Sequence, residues 1–225
     1  MAFIAKKDSS KKFYRLSPNS NIMESYKMLQ TNIGFCHVEK ALKALLITSS
    51  IATEGKSTTT ANLAIAFAQS DKKVIILDLD LRKPVIHKIF ELSSSLGLTS
   101  VITGKATLEE TIKPTYQKNL YVLPRGIYPI NPTEVLRSQA LKDIIETLKS
   151  SFDLVVIDSP PSLALADSAI ISNYVDGTLL IVSANKVDYR SVEASIKNLK
   201  MANANILGVV MNNVKSSGVR YKYYY

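Results

Sequence analysis

The sequence predicts an α/β fold: a mostly parallel sheet with helices on both faces, in a single domain. Short runs that are apolar throughout, such as "KVIILD", "LVVID" and "GTLLIVSA", have the length of strands buried on both faces. Helical stretches separate these runs, which is the alternation of βαβ units. At 225 residues the chain can bury one large core, and it shows no internal repeat or low-complexity linker that would divide it.

Residues 1–20 read as an irregular basic arm, with Lys6, Lys7, Lys11, Lys12 and Arg15 set against Asp8 alone. The spacing of Ile22, Met23, Tyr26, Leu29 and Ile33 then predicts an amphipathic helix. Residues 44–49 read as a strand, 57–70 as a helix, 73–78 as a second strand and 119–124 as a third. One helix is expected over 131–150, opened by Asn131 as N-cap, Pro132 in the first position and Glu134 in the third. Residues 152–158, 177–184 and 205–211 are further buried strands, and Val192, Ile196 and Leu199 mark a helix between the last two. The domain so drawn covers 21–214 and leaves 215–225 as a tyrosine-rich tail.

Composition narrows the class. With 46% hydrophobic and 21% charged residues this is an ordinary globular chain, and no apolar run approaches the roughly 20 residues that span a bilayer. The start lacks an apolar core of signal-peptide length. The single cysteine, Cys36, excludes an internal disulfide and fits a reducing compartment, so the expected location is the cytoplasm. The net charge of +9 is concentrated in part in the basic arm, which could lie against anionic lipid or nucleic acid but reads first as a solvated terminus. However, no zinc-type Cys/His spacing, RNP-like segment or helix-turn-helix pattern accompanies it, so no specific nucleic acid is expected.

The chemistry is concentrated in "SIATEGKSTTT" (50–60), between the first strand and its helix. A phosphate loop has Gly, four residues, then Gly-Lys-Ser/Thr; here Ser50 stands at the first position and Gly55, Lys56 and Ser57 supply the rest. Backbone N–H groups of Thr53, Glu54, Gly55 and Thr58 would cradle phosphate oxygens at a helix start. Lys56 would reach the β- and γ-phosphates, and the Ser57 hydroxyl would ligate Mg²⁺. A bare Gly-Lys-Ser triplet also begins ordinary helices; its place between a buried strand and an alanine-rich helix makes it a P-loop of the NTPase kind.

Such a loop needs carboxylates to hold the metal. "VIILDLDLRKP" places Asp78 at a strand tip and Asp80 two residues on, and "LVVIDSPP" places Asp158 after four apolar residues. Parallel strands end on one edge, so all three arrive at the rim that carries Lys56 and Ser57. Carboxylates left unpaired there would be costly, and Mg²⁺ with a nucleoside triphosphate compensates them. The expected ligand is therefore Mg·ATP. Arg82 is a candidate for bracing this loop or touching phosphate, and Asn212 or Asn213, after the last strand, for approaching adenine.

These motifs resemble those of the bacterial tyrosine kinases of capsule and exopolysaccharide synthesis. The residues that carry the resemblance are "TSSIATEGKSTTTANLA", "ILDLDLRKP", "LPRGIYPINPTEVL", "VVIDSPPSLALADS" and the terminal tyrosines. The resemblance implies transfer of the ATP γ-phosphoryl to tyrosine, with Asp78 and Asp80 as an additional Walker motif and Asp158 in Walker B. Lys56 with Asp78 or Asp80 would be catalytic, one carboxylate accepting the phenol proton. The acceptors would be Tyr221, Tyr223, Tyr224 and Tyr225, reached over residues 212–225, which could stretch at most about 45 Å. Relatives imply a transmembrane polysaccharide co-polymerase adaptor that recruits the chain to the membrane and activates it, and a tyrosine phosphatase.

The chain departs from the family pattern in two places. Ala52 and Thr53 stand where relatives have Pro-Gly, and loss of a glycine beside phosphate disfavours the required backbone angles. On the first helix, Glu24, Lys27 and Gln30 replace the Glu-x-x-Arg-x-x-Arg through which relatives self-associate into rings. Two other readings share the fold: a partitioning or septum-site ATPase, whose second signature lysine is Ile51 here, and a catalytically weak nucleotide-binding scaffold. Asp167 resembles a family position and reads equally as a helix cap.

Overall fold

A computed structural model of the protein describes residues 20–36, 41–184 and 186–214. The basic arm, apart from Ser20, and the four terminal tyrosines lie outside the described residues. Helix α1 (Asn21–Phe35) starts where the Ser20 hydroxyl accepts from the Met23 N–H and leads to β1 (Ala44–Ser49), α2 (Lys56–Gln69) and β2 (Val74–Asp78). Short helices α3 (Ile86–Ile89), α4 (Leu98–Ile102) and α5 (Leu108–Thr111) follow, then β3 (Lys113–Pro114) and β4 (Leu120–Leu123). The remainder is α6 (Pro132–Arg137), α7 (Gln139–Ser151), β5 (Leu154–Asp158), α8 (Asp167–Ile171), β6 (Gly177–Ser183), α9 (Tyr189–Met201) and β7 (Ile206–Asn212).

Among the described residues the strands form one sheet of order β3-β4-β2-β5-β1-β6-β7, parallel throughout except for the β3–β4 pair. Side chains alternate across the strands. Leu45, Ile47, Ile76 and Val156 meet α1 and α2 on one face, while Leu46, Ile75, Leu77 and Ile157 meet α4, α6, α7 and α8 on the other. Helix α9 packs Leu199 against Leu180 and Val182 of β6. Strands β1, β2 and β5 are buried on both faces, which is why they read as unbroken apolar runs. No described helix is long and apolar enough to cross a membrane.

The single helix expected over 131–150 is in fact two. Ser138 sits between α6 and α7 with extended backbone (φ −67°, ψ 146°), and its hydroxyl donates to the Val135 carbonyl at 2.7 Å and accepts the Leu141 N–H at 3.2 Å. A serine that ends one helix and caps the next offers the backbone an alternative to continuing. The break lets α7 turn Leu141, Ile144, Ile145 and Leu148 into the core, each burial contributing roughly 1.5–3 kcal/mol.

Candidate nucleotide site

Strand order builds the site. Strand β5 lies between β2 and β1, and Asp78 is the ladder partner of Asp158. The two carboxylates therefore leave adjacent strand ends, both fully buried. The loop after β1 closes over them and enters α2 at Gly55, whose φ of +89° is open to glycine at no steric cost. A Cβ at this position would also lie 2.0 Å from Asn212 Nδ2.

Lys56 is the hub. Its Nζ lies 2.8 Å from Asp158 Oδ1 and 3.6 Å from Asp80 Oδ2, and donates to Ser57 Oγ at 3.1 Å. The Ser57 hydroxyl donates to Asp158 Oδ2 at 2.6 Å, and Thr60 donates to Asp158 Oδ1 at 3.2 Å. Burial alone would lower the Lys56 pKa, but the attraction of Asp158, then Asp80 and Asp78, outweighs it and leaves the ammonium above its ordinary value. Asp78 behaves in the opposite way: burial first, then repulsion from Asp158, push its carboxyl well above the usual range despite Lys56. Burial also raises Asp80, opposed by Lys56 and by the Lys83 N–H that its Oδ1 accepts at 2.9 Å.

A cavity of about 300 Å³ opens here, lined in part by Thr53, Gly55, Lys56, Ser57, Thr58, Asp80 and Lys83. Asp80 faces this cavity, whereas Asp78 lies beneath it. Asp78 Oδ2 accepts the Ile86 N–H at 3.3 Å, but its Oδ1 is buried with no hydrogen-bond partner. An orphaned buried carboxylate oxygen beside Asp158 and Ser57 fits a hard cation with oxygen ligands. Among the described residues no three acidic, His or Cys side chains are grouped so as to hold a metal ion by themselves.

The other expected residues fall in several places. Ser50 is fully buried and its hydroxyl has no partner. Glu54 is fully buried and its carboxylate faces backbone N–H groups of the protein itself. Asn212 donates to the Glu54 carbonyl at 2.8 Å, so it reaches the loop directly. Arg82 braces: its Nε donates to the buried Asp167 at 3.0 Å and its Nη2 to Thr133 at 3.4 Å. Asp167 is the first residue of α8, and its carboxylate serves this ion pair, with Ala166 in the cap position. Glu24 and Lys27 pair with each other at 2.6 Å on the exposed face of α1, and Gln30 donates to Ser70 at 3.0 Å.

Sequence reasoning passed over Lys83 and Lys186. Lys83 carried a signal, since it continues the Asp-x-Asp-x-Arg segment. Lys186 carried none; its Nζ donates to the Thr53 carbonyl at 2.9 Å and to the Thr53 hydroxyl.

Thr53 has φ +66°, a conformation that crowds a β-branched side chain. Thr53→Gly is therefore expected to raise Tm by about 2 °C: relief of strain of about 1–2 kcal/mol exceeds the added chain entropy and the lost surface contact. Differential scanning calorimetry checks this, and a fall in Tm would contradict it.

The ParA family model, described as NUBPL iron-transfer P-loop NTPase, matches residues 40–219. The chain is 40% identical over 208 residues to tyrosine-protein kinase YwqD of Bacillus subtilis (strain 168), covering 92% of this chain and 88% of that protein. It is 36% identical over 209 residues to the putative tyrosine-protein kinase CapB of Staphylococcus aureus, covering 92% of each. Among solved structures, the chimerical protein CapA2B2 superposes with a TM-score of 0.85 at 33% identity, covering 88% of this chain and 87% of that one.

Proposed function

The chain belongs to the bacterial tyrosine-protein kinases, on a ParA-type P-loop NTPase fold, and from that premise we propose that it moves the γ-phosphoryl group of ATP to tyrosine. Its first acceptors are Tyr221, Tyr223, Tyr224 and Tyr225 of its own chain. The observation that carries this reading is the meeting of Lys56 and Asp80 at one cavity, with Asp78 and Asp158 buried beneath it, at a glycine-led helix start.

In the step itself, the phenol oxygen bonds to the γ-phosphorus as the bond to the β,γ-bridging oxygen breaks. ADP leaves with that electron pair, and the phenol proton passes to Asp80, the carboxylate that faces the cavity. Lys56 neutralises charge on the transferring group. Ser57, Asp158 and Asp78 would hold Mg²⁺, which when bound supplies charge neutralisation at the phosphate oxygens. Support for the acceptor comes from β7. It runs parallel to β6, and Asn212 at its end already touches the loop, so β7 ends at the nucleotide edge.

The same kinship supports a role in capsule or exopolysaccharide synthesis and its chain length, with a transmembrane adaptor as activator and membrane anchor and a tyrosine phosphatase as antagonist. Self-association would bring one copy's tail to another's site. Incubation with Mg·ATP, with and without the adaptor's cytoplasmic segment, followed by anti-phosphotyrosine blotting, is the test. The expected result is a signal that falls at least about tenfold when all four tail tyrosines become Phe. No signal even with the adaptor segment would remove the kinase reading.

A further inference from the structure

Glu54 is a fully buried carboxylate that the transfer step does not use. Its Oε2 accepts the Ile51 N–H at 2.8 Å and its Oε1 accepts the Ser183 N–H, at the end of β6, at 2.9 Å. Its backbone carbonyl accepts Asn212 Nδ2, at the end of β7, at 2.8 Å. One residue is thus fastened to the start of the loop and to two strand ends. The peptide joining Glu54 to Gly55 is planar, so anchoring its carbonyl on Asn212 fixes where the Gly55 N–H points. Gly55 lines the cavity and leads into α2, where unpaired N–H groups meet phosphate.

We propose that Glu54 is a positioning residue that holds the phosphate loop in its phosphate-accepting shape by tying it to the ends of β6 and β7. The proposal rests on the reading of this loop as a nucleotide cradle. Its effect falls on binding of the phosphates in ground and transition states alike, so it appears in affinity and KM rather than in kcat. Both oxygens of the carboxylate accept N–H groups. A glutamine of the same shape keeps one acceptor and turns an NH₂ against the other donor.

The experiment compares wild type and Glu54→Gln by isothermal titration with Mg·ATP and by steady-state tyrosine phosphorylation. Expected is a rise in the Mg·ATP Kd and KM of about tenfold or more, with kcat at saturating ATP changed by less than about threefold. Equal affinities, or a loss confined to kcat, would overturn the proposal. If Glu54→Gln fails to give a native circular dichroism spectrum, amide hydrogen exchange on the unaltered chain decides. Slow exchange at both Ile51 and Ser183 supports the tether, and fast exchange at either overturns it. Wild type that binds Mg·ATP but labels no tyrosine would sink the kinase reading alone, because the affinity comparison still tests Glu54.

Discussion

Lys56→Met is expected to cut ATP-dependent tyrosine phosphorylation by at least about a thousandfold and to destabilise the ligand-free protein as well. The first effect follows from removing the cavity's lysine that Asp158 and Asp80 hold in place. The second follows from burial. Lys56 compensates Asp158, Asp80 and Asp78, all buried, and breaking such a cluster from one side costs about 3–5 kcal/mol. Protonation relieves part of this. Carboxyls already raised by burial rise further without Lys56, and a group whose pKa is higher in the folded state loses its stabilising contribution as pH rises through that value. The deficit should therefore be larger at pH 8.5 than at pH 5.5, as read from urea unfolding at the two pH values (about 8.5 and about 5.5). A deficit independent of pH would mean that the carboxylates are not the cause.

Asp78→Asn should do something a structural residue does not: weaken activity by about a hundredfold or more while stabilising the ligand-free protein by about 1–2 kcal/mol above neutral pH. Asp78 is fully buried, is repelled by Asp158, and has one oxygen without a partner. The sign is fixed by its raised folded pKa. Wild type is favoured while Asp78 keeps its proton and loses stability as pH climbs through that value, whereas asparagine has no proton to lose. With Mg·ATP the order should reverse, because wild type gains a compensating cation that the variant holds poorly. Melting curves across pH, with and without Mg·ATP, test both halves. A variant less stable than wild type at every pH would contradict the electrostatic account.

Local features were legible in the sequence, and features made by strand order were not. The runs ending in Asp78 and Asp158 announced strands and their tips, since burial on both faces leaves only apolar residues until the edge. That these two aspartates are ladder neighbours depends on β5 inserting between β2 and β1, which no local pattern encodes. Glu54 shows the same limit. It was placed with the nucleotide by its position in the loop, but its carboxylate finds Ser183, a residue 129 positions away. Asp167 read equally as a cap because its partner Arg82 is 85 positions distant. The Ser138 break was readable in principle, from a serine three residues before Leu141, but the strong start at Asn131 and Pro132 masked it. The two-residue β3 is too short to carry any periodicity.

The ladder pairing of Asp78 with Asp158 also divides the site in two. These carboxylates hang from the interior of the sheet, between strands buried on both faces, so they separate only when the sheet itself opens. The loop above them is held instead by side-chain and backbone hydrogen bonds at 51, 53, 54 and 212, which tie it to the ends of β6 and β7 and to Lys186. The molecule thus pairs a floor built into the sheet with a roof fastened to it by side-chain contacts. The spacing of the charges beneath the cavity is therefore set by the sheet and not by the loop.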